Sequence, residues 1–294
     1  MTALGTDTSI GALLREWRQR MMLTQGELAQ RADTSARHLS FVETGRSRPS
    51  RELVLRLADQ LEIPLRQRNT LLVSAGYSPS FQETPLEAPR LQIVREAMDR
   101  ILGAHAPYPA LAVDADENIA AMNIGTELLL SDVSPQLLVP PCNVMRICLH
   151  PEGLVRQVVN QEEWRRHLVG RLYRQAIYSG RESLKQLYDE VSTYWPDTAL
   201  GSGSGHDLSD TIVASIHVRG LGTELKLFST IATFGCATDI TVAELSLETM
   251  HPADRQTADA FEAAAKERLK QNGTSGIQSL QPLITSPRRP TDPR

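Results

Sequence analysis

The chain has 294 residues, of which 41% are hydrophobic and 22% charged, and its formal net charge is −4. At roughly 100–200 residues per domain this predicts two domains, and the composition is too apolar for a disordered chain. No apolar run approaches the ~20 residues that span a bilayer, and no basic-then-apolar leader opens the sequence. Cys142, Cys148 and Cys236 lack C-x-x-C spacing, which argues against a disulfide framework or zinc site and predicts a cytoplasmic protein.

Residues 1–80 carry 11 Arg, no Lys and 8 acidic residues, whereas the remaining 214 carry 20 basic and 27 acidic ones. The excess positive charge lies at the N-terminal end, so an anionic partner is expected there. Ile10, Leu13, Leu14 and Trp17 recur at helical spacing. Thr24 with Glu27 three residues on forms a capping box for a second helix that ends near Ala32. Asp33-Thr34 make a tight turn, Ser35 caps a third helix over 36–44, and Gly45 closes it. Pro49-Ser50 open a fourth helix with Leu53, Leu55, Leu57 and Leu61, and a fifth runs over 65–75 after Pro64. The Pro- and Ser-rich stretch 77–90 is expected to be a linker between a domain over 1–76 and another over 91–271.

In the second domain a helix over 91–102 precedes a hairpin, 110–113 with 119–122. A helical section then runs over 125–194. Strands at 212–218 and 224–234 flank a turn at 219–222, and helices from Thr241 and from Pro252 complete the domain. Gly- and Ser-rich 197–207 and the tail 272–294 are expected to be disordered.

The second and third helices, joined by a short turn, have the parts of a helix-turn-helix. Here the sequence resembles the XRE (phage-repressor-like) regulators. The likeness rests on Leu23-Thr24-Gln25-x-Glu27-Leu28-Ala29, then Ser35-x-x-x-Leu39-Ser40-x-x-Glu43-x-Gly45-Arg46-x-x-Pro49-Ser50, then Leu53 through Ala58. It implies double-stranded DNA as partner, with the third helix in the major groove and Ser35, Ala36, Arg37, His38 and Phe41 facing it. Arg37 is the candidate for a bidentate guanine contact. Phe41 reads either as a thymine-methyl contact or as core. Thr24 and Gln25 stand where a helix N-terminus favours a phosphate. Arg46, Arg48 and Arg51 read as phosphate ligands or as solvated charges. The resemblance also implies an ion pair between Arg18 and Glu43. Where relatives carry Gly-Val in the turn, this chain has Asp33-Thr34, and Asp tolerates a left-handed backbone better than most residues.

The likeness continues into the second domain through Pro107-Tyr108-Pro109-Ala110, Leu149-His150-Pro151-x-Gly153-Leu154, Asn160-x-x-x-Trp164-Arg165-x-His167-Leu168 and Phe228-Ser229-Thr230. These motifs resemble a subgroup whose second part is an MmyB-like, PAS-like ligand-binding domain. The fold class implied is multidomain: an all-α helix-turn-helix domain followed by an α+β PAS-like domain, read as a mixed sheet with helices on one face. The implied ligand is small and apolar, a fatty acid above all, with no other cofactor. Trp164, Leu168 and Leu172 are candidate lining residues, with plain core as the competing reading. Arg146, His150, His167 and Arg171 are candidates for holding a carboxylate. Where relatives often carry an aromatic residue after the Asp of the first hairpin, this chain has Asp116-Glu117.

Two readings stand. The first is a ligand-responsive transcriptional regulator acting as a homodimer, because one helix-turn-helix reads only a few base pairs. The second is an enzyme, or a haem or flavin sensor, with an accessory helix-turn-helix. Against an enzyme, there is no Gly-x-Ser-x-Gly, phosphate-cradling loop or His-Glu-x-x-His. No metal site is expected.

Overall fold

The computed structural model describes residues 9–195 and 215–271. The predicted mobile segment 197–207, the tail 272–294 and the first residues of the strand predicted from 212 lie outside them. The chain divides into two compact units. One comprises the N-terminal part through Pro85 together with 235–243, and the other comprises 86–234 and the part from Glu244 onward.

The first unit is helical: α1 (Ile10–Arg20), α2 (Gln25–Arg31), α3 (Ala36–Glu43), α4 (Arg51–Gln60) and α5 (Leu65–Ser74). Local chemistry sets its boundaries. The Thr24 side chain accepts from the Glu27 N–H while Glu27 accepts from the Thr24 N–H, the reciprocal capping box of the sequence. Ser35 accepts from the His38 N–H at the head of α3, and Gly45 follows it at φ +73°. Asp33 takes the turn between α2 and α3 at φ +48°, the left-handed conformation expected of it. Leu14, Leu28, Leu39, Val42, Leu57 and Leu72 are fully buried in one core. Gly11 lets α1 approach α3 closely, since a Cβ there would lie 2.5 Å from the Val42 carbonyl oxygen.

The stretch predicted as a linker is partly built into this unit. The Tyr77 hydroxyl donates to the Pro49 carbonyl at 3.0 Å. Asn69 accepts from the Ser80 and Phe81 N–H groups and donates to the Phe81 carbonyl.

The second unit contains α6 (Gln92–His105), β1 (Ala110–Val113), β2 (Ile119–Met122), α7 (Ile124–Leu129), α8 (Val144–Leu149), α9 (Gln161–Ser179) and α10 (Glu182–Thr193). It continues with β3 (Ser215–Gly220), β4 (Thr223–Thr233), β5 (Ser246–Pro252) and α12 (Arg255–Gln271); the short α11 (Ile240–Ala243) belongs to the first unit. The sheet order is β2-β1-β5-β4-β3. All pairings are antiparallel, so the expectation of a mixed sheet is corrected. The central strand β5 departs from the expectation of helix from Thr241: that helix stops at Ala243 and the chain turns extended at Ser246.

Alternation along the strands divides the core. Leu111, Val113, Ile216, Val218, Leu225, Leu227 and Met250 join the large core with α7, α8, α9, α10 and α12. Ala110, Ala112 and Leu247 pack with Met98 and Leu102 of α6. Helices therefore cover both faces of the sheet, not one.

Candidate DNA-reading face and ligand-binding interior

At the head of α3, Ser35, Ala36 and Arg37 are exposed and His38 is half-buried. The Arg37 guanidinium lies 5.5 Å from the centroid of the half-buried Phe41 ring, one turn on. Phe41 is half-buried, which leaves both the base-contact and the core reading open. Behind this face, Arg18 grips Glu43 with two hydrogen bonds of 2.7 and 2.8 Å and donates a third to the Leu23 carbonyl. The Gln25 side chain, a phosphate candidate from sequence, donates to Glu43 at 2.9 Å. Arg18, Gln25 and Glu43 thus lock α1, α2 and α3 together.

The other arginines divide. Arg46 is exposed. Arg48 donates to the Ala75 carbonyl at 2.8 Å and the Gly76 carbonyl at 3.0 Å, with its guanidinium 5.0 Å from the Tyr77 ring centroid. It thereby caps the C-terminus of α5, where a cation meets free carbonyls. Arg51 donates to the Ser80 hydroxyl at 2.5 Å. The Thr24 hydroxyl is engaged with Glu27 at 2.7 Å.

In the second unit, α9 carries Trp164, Leu168 and Leu172 into the large core. Arg171 on the same helix is shared by two buried carboxylates: Glu117 from the β1–β2 turn and Glu248 from β5, each at 3.2 Å. Gln175 donates to the other Glu117 oxygen at 2.7 Å. The glutamates are 4% and 5% exposed. Glu117 holds its place in the turn at φ +63°. Trp164 Nε1, Arg171 Nε and Gln175 Oε1 are buried on one side of α9 with no hydrogen-bond partner. His167 stacks on Trp164 with ring centroids 6.1 Å apart.

Arg146 is likewise taken. Glu190 of α10 accepts from it at 2.8 and 2.6 Å and from the Tyr194 hydroxyl at 2.5 Å. His150 packs edge-on against Tyr194 and its Nδ1 accepts from the Glu152 N–H. The four groups expected to hold a carboxylate therefore include two arginines already bound to glutamates.

The charge environment is set by burial. Glu117 is pushed above the usual carboxylate range by burial, with Glu248 adding to the rise and Arg171 and Gln175 opposing it. Burial together with Arg171 and Arg174 lowers His167, which favours the neutral imidazole. The Cys148 thiol is pushed up to about 12 by burial and so is an inert core group. In the first unit burial pushes Glu43 up, but the hydrogen bonds from Arg18 and Gln25 prevail and leave it lowered.

These shifts have opposite consequences. Stability from Glu43 is present above the unfolded carboxyl value of about 4.3 and is lost as pH falls through its lowered folded value. For Glu117 the folded state holds the proton more tightly, so its contribution is complete below about 4.3 and is lost as pH rises through the raised value. Acidification from about pH 7 to about pH 5 is expected to favour the wild type relative to Glu117→Gln, while His167, held low in the folded state, makes an opposing contribution in both proteins. Urea titrations of the two proteins at the two pH values check this: a stability difference that does not change with pH would show that Glu117 titrates alike folded and unfolded.

Among the described residues no helix is long and apolar enough to cross a membrane, and no group of three His, Cys, Asp or Glu side chains is placed to hold a metal. A capped helix-turn-helix joined to an α+β unit with a polar cluster buried beside its sheet defines a DNA-binding regulator with a ligand-binding domain. A helix-turn-helix domain family matches residues 9–71, and the MmyB-like transcription regulator ligand binding domain matches residues 94–264. The second match covers more than half of the chain, which belongs to that family. The crystal structure of the clp gene regulator ClgR from Corynebacterium glutamicum is 27% identical over 34% of this chain and 94% of its own, with a TM-score of 0.21. No curated protein matched the sequence.

Proposed function

We propose that this XRE-type regulator reads operator DNA with the head of α3 and that a small, largely apolar ligand in the second unit biases that binding. The exposure of Ser35, Ala36 and Arg37 above the Arg18–Glu43–Gln25 lock carries the DNA reading. The lock fixes the backbone, and the exposed end is left free to meet base edges. Arg37→Ala is expected to weaken binding to a selected duplex by about 1–3 kcal/mol and to relax preference at one base position. Unchanged preference in a binding-site selection would remove α3 from this role. Arg46 is the foremost phosphate contact, while Gln25 and Arg48 act as buttresses in the free protein.

The ligand reading rests on α9, where Trp164 Nε1, Arg171 Nε and Gln175 Oε1 are buried without partners beside the core leucines Leu168 and Leu172. A fatty acid fits this pattern only if its carboxylate displaces a glutamate from Arg171 or Arg146. Apolar burial at ~25 cal/mol/Å² would supply the larger part of the affinity. Solvent extraction of the purified protein, followed by mass spectrometry, is expected to release an amphiphile with a single alkyl chain. An extract free of lipid, from a protein that also ignores added fatty acids, would rule out the ligand class.

A homodimer belongs to the same proposal, since paired half-sites one helical turn apart supply the affinity that one helix-turn-helix lacks. Light scattering that finds a monomer with and without DNA would overturn it. The free cysteines suit a reducing compartment such as the cytoplasm.

A further inference from the structure

We propose that residues 235–243 are a strap by which movement of the ligand-binding sheet is passed to the DNA-reading helices, with Asp239 as its anchor. The inference rests on the reading that a ligand biases DNA binding, and it names the part that carries the bias.

β4 and β5 are neighbouring antiparallel strands, which a loop of two to five residues commonly joins. Here Thr233 and Ser246 are separated by a much longer connection, and its middle belongs to the first compact unit. Within that unit it is tied down. The Ile240 N–H donates to the Gln82 carbonyl at 2.8 Å, and Gln82 and Asp239 form a parallel bridge. The Thr84 hydroxyl donates to Asp239 Oδ2 at 2.5 Å, and the Thr84 N–H donates to Oδ1 at 3.3 Å. The same Oδ1 accepts from the Thr241 N–H at 3.0 Å. Thr84 and Asp239 are both buried, and they lie 155 residues apart in sequence. A buried carboxylate with three donors is an expensive group to place on a loop without use, because each bond must be re-formed if the loop shifts.

The anchored end leads to α5 by contact and from there to the reading helix along the chain. Ile240 is buried against α5, beside Asn69, Thr70 and Val73. Asn69 fixes the chain just ahead of Gln82 through Ser80 and Phe81. The far end of α5 is held by Arg48, five residues beyond α3. The strap thus begins at the end of one sheet strand, grips α5, and returns into the central strand. Any ligand that shifts β4 against β5 pulls on both ends, and by reciprocity DNA bound at α3 must act back on those strands.

Hydrogen exchange of the full chain tests this, with a duplex selected from a random library by the wild type as the probe. In the wild type, DNA should slow exchange of 235–243 and of the β4 and β5 peptides by about fivefold or more. In Asp239→Ala and Thr84→Val the duplex should still bind, while the β4 and β5 response disappears. Thr84→Val keeps the side-chain shape and guards against a simple failure of Asp239→Ala to fold. Strands that respond equally in the variants, or not at all in the wild type, overturn the strap and leave the regulator reading intact. If no duplex is ever selected, the regulator reading fails. The strap is then judged in free protein, where 235–243 exchanging as fast in the wild type as in the variants overturns it.

Discussion

Arg171→Leu is expected to destabilise the second unit by about 3–5 kcal/mol, the cost of leaving buried charge without its partner. Glu117 and Glu248 face each other across that guanidinium, and among the described residues the Gln175 amide is the side-chain donor left to Glu117 after its removal. The loss should shrink as pH falls, because burial raises Glu117 above the usual carboxylate range and a protonated carboxyl no longer needs a cation. Arg171→Lys should recover only part of it, since a point charge cannot serve two carboxylates as a planar fork does. Urea unfolding of Arg171→Leu with and without Glu117→Gln separates the terms. A loss below about 1 kcal/mol would mean that the cluster holds nothing together.

Glu43→Ala is expected to cost the helical unit a comparable amount, about 3–5 kcal/mol. The Arg18 and Glu43 side chains are 11% and 2% exposed, so the pair is shielded from water and salt. Removing the carboxylate leaves the buried guanidinium without a counter-charge, bonded to the Leu23 carbonyl, and also frees Gln25. Replacing Arg18 and Glu43 together by leucine or methionine should cost less than either single change, since no unpaired charge remains. A double-mutant cycle in urea measures the coupling. Additive losses would show that the two residues do not act as a pair.

The helical unit was legible because its signals are local. Thr24 with Glu27, Ser35 with His38, and Gly45 each set a boundary within three or four residues, and Asp33 took the left-handed turn. What escaped depends on distant partners. Arg171 finds Glu117 and Glu248 at separations of 54 and 77 residues, and no spacing rule marks them. Gln25 and Arg48 stood in stretches that suggested phosphate contacts, yet their nearest acceptors are Glu43 and the end of α5. For β5 a signal existed. Leu245 and Leu247 fall on one side and Glu248 and Met250 do not continue it, an alternation with period two over a segment short enough to be taken for the start of a helix. Glu248 obscured it, being a charge on a face that faces inward.

The place of β5 in the sheet bears on how the chain is made. β1 and β4 become neighbours only through it, so both hairpins leave the ribosome without their shared central partner. The helical unit, apart from 235–243, is synthesised by Pro85, and the sheet must wait until Pro252 has emerged before it can close. Until then two open strand edges stand exposed, and a nascent chain stalled before Ser246 is the form most prone to pair with its neighbours.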